Sequence, residues 1–168
     1  MNFTKLINLI QLIRFGGLRL YLFNAFAKHI IGTNTNFKEN IHFTSQVIGS
    51  NISYHRDKFT LRSFKTSSHC YIQSLCGIEI GENFLFASGL KLISGNHNIL
   101  KDRNTICKGP IIIGNNCWFG TNVIILPNVK IGNNCIVGAG SVVTKSFMED
   151  NLIIAGNPAK MIRKIGKT

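Results

Sequence analysis

"IGNNCWFGTNVIILPNVKIGNNCIVGAGSVV" occupies residues 113–143, and its apolar residues return at every sixth position: Ile113, Phe119, Ile125, Ile131, Val137 and Val143. Six is neither the 3.6-residue period of a helix nor the two-residue period of a simple strand. It fits a β-helix, in which each hexapeptide makes one short strand and a turn, and three hexapeptides close a triangular coil. The first residue of each unit then points inward and stacks on its counterparts in neighbouring coils. The next position holds Gly114, Gly120, Gly132 and Gly138, where glycine is expected to supply backbone angles that strain other residues. Asn115, Asn116, Asn133 and Asn134 add turn chemistry. The fifth position is small or β-branched: Cys117, Val123, Val129, Cys135 and Ser141. Cys117 and Cys135 are one full coil apart, so they are expected to stack about 4.8 Å from each other as small buried hydrophobes.

Outward from this stretch the beat continues through Ile80, Phe86 and Leu92. From Leu92 to Ile113 there are 21 residues rather than six, so the register breaks in "SGNHNILKDRNTICKGP". A coil interrupted by extra residues throws out a loop, and loops on rigid scaffolds commonly carry function. Before Ile80 the pattern fades, and two coils are expected between residues 37 and 79. Two departures sit inside the repeat. Asn128 stands in "LPNV" at a turn where Asn is the best residue after Gly, and Phe119 demands extra room inside its coil. The expected organisation is an N-terminal helical segment (1–35), a β-helix (36–155) with a loop at about 95–110, and a basic C-terminal tail or short helix (156–168).

The whole chain has 168 residues, 45% of them apolar, enough for one domain with a core. Its formal net charge of +12 points to an anionic partner: nucleic acid, a membrane surface or a phosphorylated ligand. No nucleic-acid-binding motif accompanies the charge, and no Gly-rich phosphate loop of the P-loop or Rossmann type is present. Five cysteines without a dense framework fit a reducing cytoplasm. His69, Cys70 and Cys76 match no zinc spacing, so no metal is expected. The opening 26 residues contain apolar stretches broken by Asn8, Gln11, Arg14, Gly16 and Gly17, too short for a membrane span. From Thr4 to Arg14 the polar residues form one stripe on a helix. Two readings of residues 1–31 stay open: a helix packed on the domain, or one lying on a membrane surface beside Lys5, Arg14, Arg19 and Lys28.

Residues 113–145 followed by "IIAGNPAKMIRKI" resemble the hexapeptide-repeat acyltransferases, in the branch of maltose, galactoside and surface-polysaccharide O-acetyltransferases. The resemblance is carried by the repeat, the tryptophan, "GAGSVVTK" and "PAK" in that order, over residues 78–165. It implies an all-β, left-handed parallel β-helix, a homotrimer with sites between subunits, acetyl-CoA as donor and a hydroxyl as acceptor. Handedness comes from the resemblance alone, because parallel crossovers are ordinarily right-handed.

The resemblance also implies site residues. His97, where the register breaks, matches the general base, which takes the hydroxyl proton as the oxygen attacks the thioester and returns it to the leaving thiolate. A second group should orient its ring; Glu79, Glu82, Asp102 and a backbone carbonyl all stay open. The second histidine that many relatives carry nearby is absent from "HNIL". Trp118 matches an aromatic wall of the acyl-CoA channel, with Gly120 keeping that face open. Gly138, Ala139 and Gly140 let backbone amides approach the pantetheine arm. Thr144 and Lys145 match contacts to the nucleotide, and Lys160 and Arg163 match basic residues near its phosphates. A backbone N–H beside His97 is the expected oxyanion donor. Asn96 and His69 are weaker acceptor-binding candidates, since the acceptor-binding asparagine of sugar-acetylating relatives is not matched. His29, His42 and His55 have no such context. Lys91, Lys101, Arg103 and Lys108 around His97 either attract an anionic or lipid-linked saccharide or form an ordinary solvated loop.

The function expected from this reading is acetyl-CoA-dependent O-acetylation of a sugar hydroxyl in bacterial surface-polysaccharide synthesis. The expected location is the cytoplasm, at the inner face of the membrane if the helix touches lipid. The alternatives are acetylation of an antibiotic, a serine or an amino sugar, a non-catalytic trimeric scaffold, and a γ-class carbonic anhydrase, which needs three metal-binding histidines.

Overall fold

A computed structural model describes residues 17–100 and 102–166. The polar stripe from Thr4 to Arg14, with Lys5 and Arg14, lies outside the described residues, as does Lys101. The described chain opens with helix α1 (Leu18–Phe26), which runs into a π-helical turn (Ala27–Ile31) ended by Gly32 at φ 82°. Short strands then follow one another around three sheets. Sheet 1 holds β1 (Gln46–Ile48), β3 (Tyr71–Gln73), β6 (Lys91–Ile93), β11 (Ile124–Ile125) and β14 (Val142–Val143). Sheet 2 holds β2 (Ile52–Tyr54), β4 (Ile78–Ile80), β9 (Ile111–Ile113) and β12 (Lys130–Ile131). Sheet 3 holds β5 (Leu85–Phe86), β10 (Trp118–Phe119), β13 (Ile136–Val137), β15 (Leu152–Gly156) and β16 (Ala159–Lys164). Every pairing within these sheets is parallel except β15 with β16. Consecutive strands visit sheets 1, 2 and 3 in turn, which is a parallel β-helix.

The six-residue beat is the inward row of this helix. Ile113, Phe119, Ile125, Ile131, Val137 and Val143 are each at most 3% exposed, and so are Cys117, Val123, Val129, Cys135 and Ser141 at the fifth positions. Phe119 finds its room against Phe84, edge to face at 4.9 Å. From there an aromatic column runs through Phe86, Phe64 and Phe37 with centroids 5.0–5.3 Å apart. Cys117 and Cys135 sit in successive coils, with the Trp118 N–H donating to the Cys135 carbonyl at 2.9 Å. Contact with the Cys135 sulfur, with burial, pushes the Cys117 thiol well up, so it stays protonated.

The glycines act through space rather than through backbone angles, which corrects the sequence-based expectation. None of Gly114, Gly120, Gly132 or Gly138 has positive φ; that conformation falls to Asn116, Asn122, Asn128 and Asn134 at φ 54–62°. A Cβ on Gly114 would come within 2.7 Å of the Gly132 backbone, and one on Gly132 within 2.6 Å of the Glu149 carbonyl. The remaining asparagines tie coil to coil: Asn115 Oδ1 accepts from the Glu82 N–H, Asn133 Oδ1 from the Asn115 N–H, and Asp150 Oδ1 from the Asn133 N–H, all at 2.7–2.8 Å.

Two features differ from the expected plan. In the first coil, β1 and β2 are followed not by a third strand but by helix α2 (Lys58–Thr66), which lies against β5. The edge N–H groups of Phe84 and Phe86 donate to Thr60 Oγ1 and Ser63 Oγ, both at 3.1 Å. Hydroxyls of the helix thus replace a strand as the acceptors of a sheet edge. At the other end, residues 159–164 are not a tail or helix. The chain reverses at Asn157–Pro158 and β16 closes sheet 3 antiparallel to β15, so the last parallel edge is paired.

Phe119→Ala should destabilise the fold by about 3–5 kcal/mol, because the rigid coils around it collapse poorly into the cavity. Denaturant unfolding against the unmodified chain measures this directly.

Candidate active site

The register break becomes a hairpin. After β6 the chain leaves the corner between sheets 1 and 2, and β7 (Asn96–His97) pairs antiparallel with β8 (Thr105–Ile106) before β9 resumes the coil. Asn96 lies opposite Ile106 and His97 opposite Thr105. The hairpin is exposed, and its tip presents Ile99 and Leu100, each more than 90% exposed. Its turn is held internally: Asn98 N–H donates to the Asn104 carbonyl, Arg103 N–H to the Asn98 carbonyl, and Leu100 N–H to Asn98 Oδ1.

Across this turn His97 Nδ1 lies 2.7 Å from the Arg103 carbonyl oxygen. A carbonyl only accepts, so Nδ1 is the donor of this pair, and in the neutral tautomer that makes this bond Nε2 is the accepting nitrogen. Of the four orienting groups left open by the sequence, the backbone carbonyl takes the role. Asp102 instead accepts from Asn104, Glu82 pairs with His55 at 3.5 Å, and Glu79 sits on β4 beside Ile112.

The other candidates fall on two edges of the prism. Six lie on sheet 3 or the corner after it. Leu85, Trp118, Ile136, Ile153 and Arg163 occupy successive register positions across that sheet. Trp118 is half exposed beside a cleft of about 410 Å³, bounded by Arg62 and Thr66 of α2 and by Leu85, Ser88 and Thr121. Lys160 pairs with Ala155, whose methyl group lies 3.0 Å from the position a Cβ on Gly138 would take. The space beside Gly120 is filled by Ala139 of the next coil, whose backbone N is 2.7 Å from where a Cβ would be. Gly120 therefore serves coil stacking rather than an open face. Thr144 and Lys145 follow β14 on sheet 1, at the same corner from which the His97 hairpin departs. Lys145 Nζ stands 5.8 Å over the Phe147 ring. His69 is exposed at φ 55° before β3, so it lies at the opposite end of the sheet 1 strands from His97. One chain thus brings His97, Asn96, Thr144 and Lys145 to one corner, and Trp118, Gly120, Gly138, Ala139, Lys160 and Arg163 to another face.

Two elements escaped sequence reasoning. One is α2, the far wall of the Trp118 cleft, whose "DKFTLRSF" carries an N-cap signal. Asp57 accepts from the Phe59 and Thr60 N–H groups at 2.9 and 3.0 Å. Burial alone would raise its carboxyl, but hydrogen bonds from Thr60, Asn83 and Phe59 outweigh that and leave it below the ordinary aspartate value. The other is a disulfide between Cys76 and Cys107, where five cysteines without a dense framework had pointed to a reducing cytoplasm. Cys70 is buried with its thiol against the Ser67 and Ser68 carbonyls, so His69, Cys70 and Cys76 share no site.

A β-helix of hexapeptide coils with one coil opened into a histidine-bearing hairpin defines the class. A model of the bacterial transferase hexapeptide (six repeats) matches residues 110–145, the stretch that forms the regular coils from β9 to β14. Proteins similar to it carry acetyltransferase names, some of them O-acetyltransferase. The galactoside O-acetyltransferase of Escherichia coli K12 is 35% identical over 107 residues, 62% of this chain and 52% of that protein. An E. coli K12 protein named for lipopolysaccharide biosynthesis O-acetyl transfer, WbbJ, is 29% identical over 146 residues, 80% of this chain and 71% of the relative. Among solved structures, a maltose O-acetyltransferase from Clostridium difficile 630 superposes with a TM-score of 0.54 at 33% identity, covering 76% of this chain and 63% of that one. The chain spans about half the length of several curated relatives it matches.

Asp57→Ala should cost about 1 kcal/mol of stability at pH 7 through loss of the cap. Because the native carboxyl titrates below the unfolded value of about 3.9, the stabilisation is present above that pH and fades as pH falls through the native pKa. Unfolding midpoints of both proteins between pH 7 and pH 3 should therefore converge at the acid end.

Proposed function

We propose that this protein is an acetyl-CoA-dependent O-acetyltransferase that esterifies a sugar hydroxyl during synthesis of a bacterial surface polysaccharide, such as O-antigen, capsule or exopolysaccharide. The observation that carries the reading is His97: exposed on a hairpin, with Nδ1 committed to the Arg103 carbonyl and Nε2 on the other side of the ring. An unassisted sugar hydroxyl is a poor nucleophile at neutral pH. Nε2 accepts its proton as the oxygen attacks and returns it to the departing thiolate, a contribution of ~10²–10⁴-fold. Acetyl-CoA supplies the activated acetyl group. The residues of sheet 3 suit it chemically: Trp118 offers an apolar wall for the pantetheine arm, and Lys160 and Arg163 on the exposed β16 answer phosphate charge. Thr144 and Lys145 are assigned to the nucleotide.

Within one chain the histidine corner and the Trp118 face are separate, which supports a homotrimer whose sites lie between neighbouring subunits. In this assembly the hairpin of one chain meets the sheet 3 face of the next, and the coils wind left-handed. The acceptor is a saccharide, anionic or lipid-linked, drawn by Lys91, Arg103 and Lys108, with Asn96 and His69 as candidate contacts; metal and nucleic acid play no part. The enzyme works on the cytoplasmic side. The outer face of α1 and the π turn, with Leu22, Phe23, Phe26, Ile30 and Ile31 exposed, rests on the membrane. Among the described residues no helix is long and apolar enough to cross one.

The reading is tested by thiol release from acetyl-CoA with galactosides, maltose and an acidic polysaccharide as acceptors. Antibiotic, serine and amino-sugar acceptors go in the same panel. His97→Ala should lower turnover at least ~10²-fold with CoA affinity nearly intact; unchanged turnover removes the base assignment. Lys160→Ala with Arg163→Ala should raise KM for acetyl-CoA more than it alters kcat. An unchanged KM returns these residues to an ordinary solvated surface.

A further inference from the structure

Cys76 lies in the turn between β3 and β4, one coil below the point where the His97 hairpin leaves the prism. It touches both legs of that hairpin. On the outgoing leg, the Cys76 N–H donates to Ser94 Oγ at 2.9 Å, and a Cβ on Gly95 would lie 3.1 Å from Cys76 Sγ. The Gly95 N–H donates to Gln73 Oε1 at 3.1 Å, from the same lower coil. On the returning leg, Cys107 follows β8 directly and is bonded to Cys76. His97 stands two residues beyond Gly95 and pairs with Thr105, two residues before Cys107. Among the described residues, the side-chain contacts of Ser94, Gly95 and Ile106 with the lower coil run through Gln73 and Cys76. Asn96, His97, Ile99, Leu100 and residues 102–108 are exposed.

We propose that Cys76 and Cys107 are positioning residues for the transfer reaction, and that their disulfide holds the His97 hairpin in its working place, so that turnover follows the thiol–disulfide state. This rests on the reading of His97 as the base. Reduction proceeds by attack of a thiolate on the exposed Cys107 sulfur, with buried Cys76 leaving; a second thiol then releases Cys107. Two reductant thiols become one disulfide as the two cysteines gain two electrons and two protons. Re-formation consumes one glutathione-class disulfide, which leaves as two thiols. The coil beneath does not depend on the bond, because β3 and β4 are held by their own sheet pairings. Loss of the bond frees only the returning leg, so the Arg103 carbonyl no longer meets His97 Nδ1 in one geometry.

The test compares the intact protein in excess dithiothreitol and in oxidised glutathione, alongside Cys107→Ser and the control Cys70→Ser. Amide hydrogen exchange over residues 96–107 and the ¹⁵N signals of the His97 ring are read together with kcat and KM for acetyl-CoA. Reduction should speed exchange in the hairpin alone, abolish the Nδ1-protonated preference of His97, and lower kcat about 10-fold with KM unchanged, within the ~10² that an ångström of misplacement costs. Cys107→Ser should behave as the reduced protein in either buffer, and Cys70→Ser should follow the wild type. Equal hairpin exchange and equal kcat in both buffers would overturn the proposal. If exchange responds but His97→Ala leaves turnover intact, it is the base assignment that fails, and the positioning role falls with it.

Discussion

The whole molecule depends on how closely one coil can sit on the next. Strands of adjacent coils pair at about 4.8 Å, and at the corners the backbones come so near that Gly81, Gly114 and Gly132 leave no room for a Cβ. Asn115, Asn133 and Asp150 lock the same corners with side-chain acceptors aimed at the neighbouring coil's N–H groups. Inward, the apolar residues meet their counterparts in register and exclude water. A stack built to this tolerance cannot absorb additional residues inside a coil. An insertion has to leave at a corner and come back to the same corner, and this geometry turns residues 94–110 into a projecting hairpin.

That constraint also explains why chemistry collects where it does. Inside the prism every side chain is committed to packing, so reactive groups are left with the outer faces, the corners and the excursion. His97 gains its orientation from the hairpin's own turn, through a main-chain oxygen rather than a carboxylate. Trp118 gains its exposure because alternate residues of β10 point out of sheet 3 while Phe119 fills the core. The two lie on different sides of a single chain. In the proposed assembly a neighbouring subunit supplies one half of the site, and the single chain holds the two parts at fixed positions.

The repeat was legible from residue 78 onward because the hexapeptides repeat the same physical demand: an inward apolar residue, followed at many coils by glycine, and then a turn-former. The break after Leu92 was legible for the same reason, as an interval of the wrong length. Residues 37–79 were less so, since there the pattern is shared between two strands and a helix. In "DKFTLRSF" hydroxyl residues at helical spacing serve a sheet edge, a role no local periodicity announces. Strand β16 escaped because its alternation is poor: Lys160 to Lys164 are all exposed, and only the unpaired edge of β15 gives it a place. The glycine positions were found, but for the wrong reason, because a missing Cβ that makes room for a neighbouring coil looks the same in sequence as one that permits an unusual φ.

Sequence by itself determined the period, the inward row, the corner residues and the point of interruption, since all of these are set by neighbours within a few positions or by a repeated interval. Tertiary structure decided which groups meet across long separations: Cys76 with Cys107, Ser63 with Phe86, and β15 with β16. It also decided which of several acceptors orients His97. Those contacts depend on how coils superpose and how an irregular segment folds back, and neither distance nor direction across that gap is written in any local pattern.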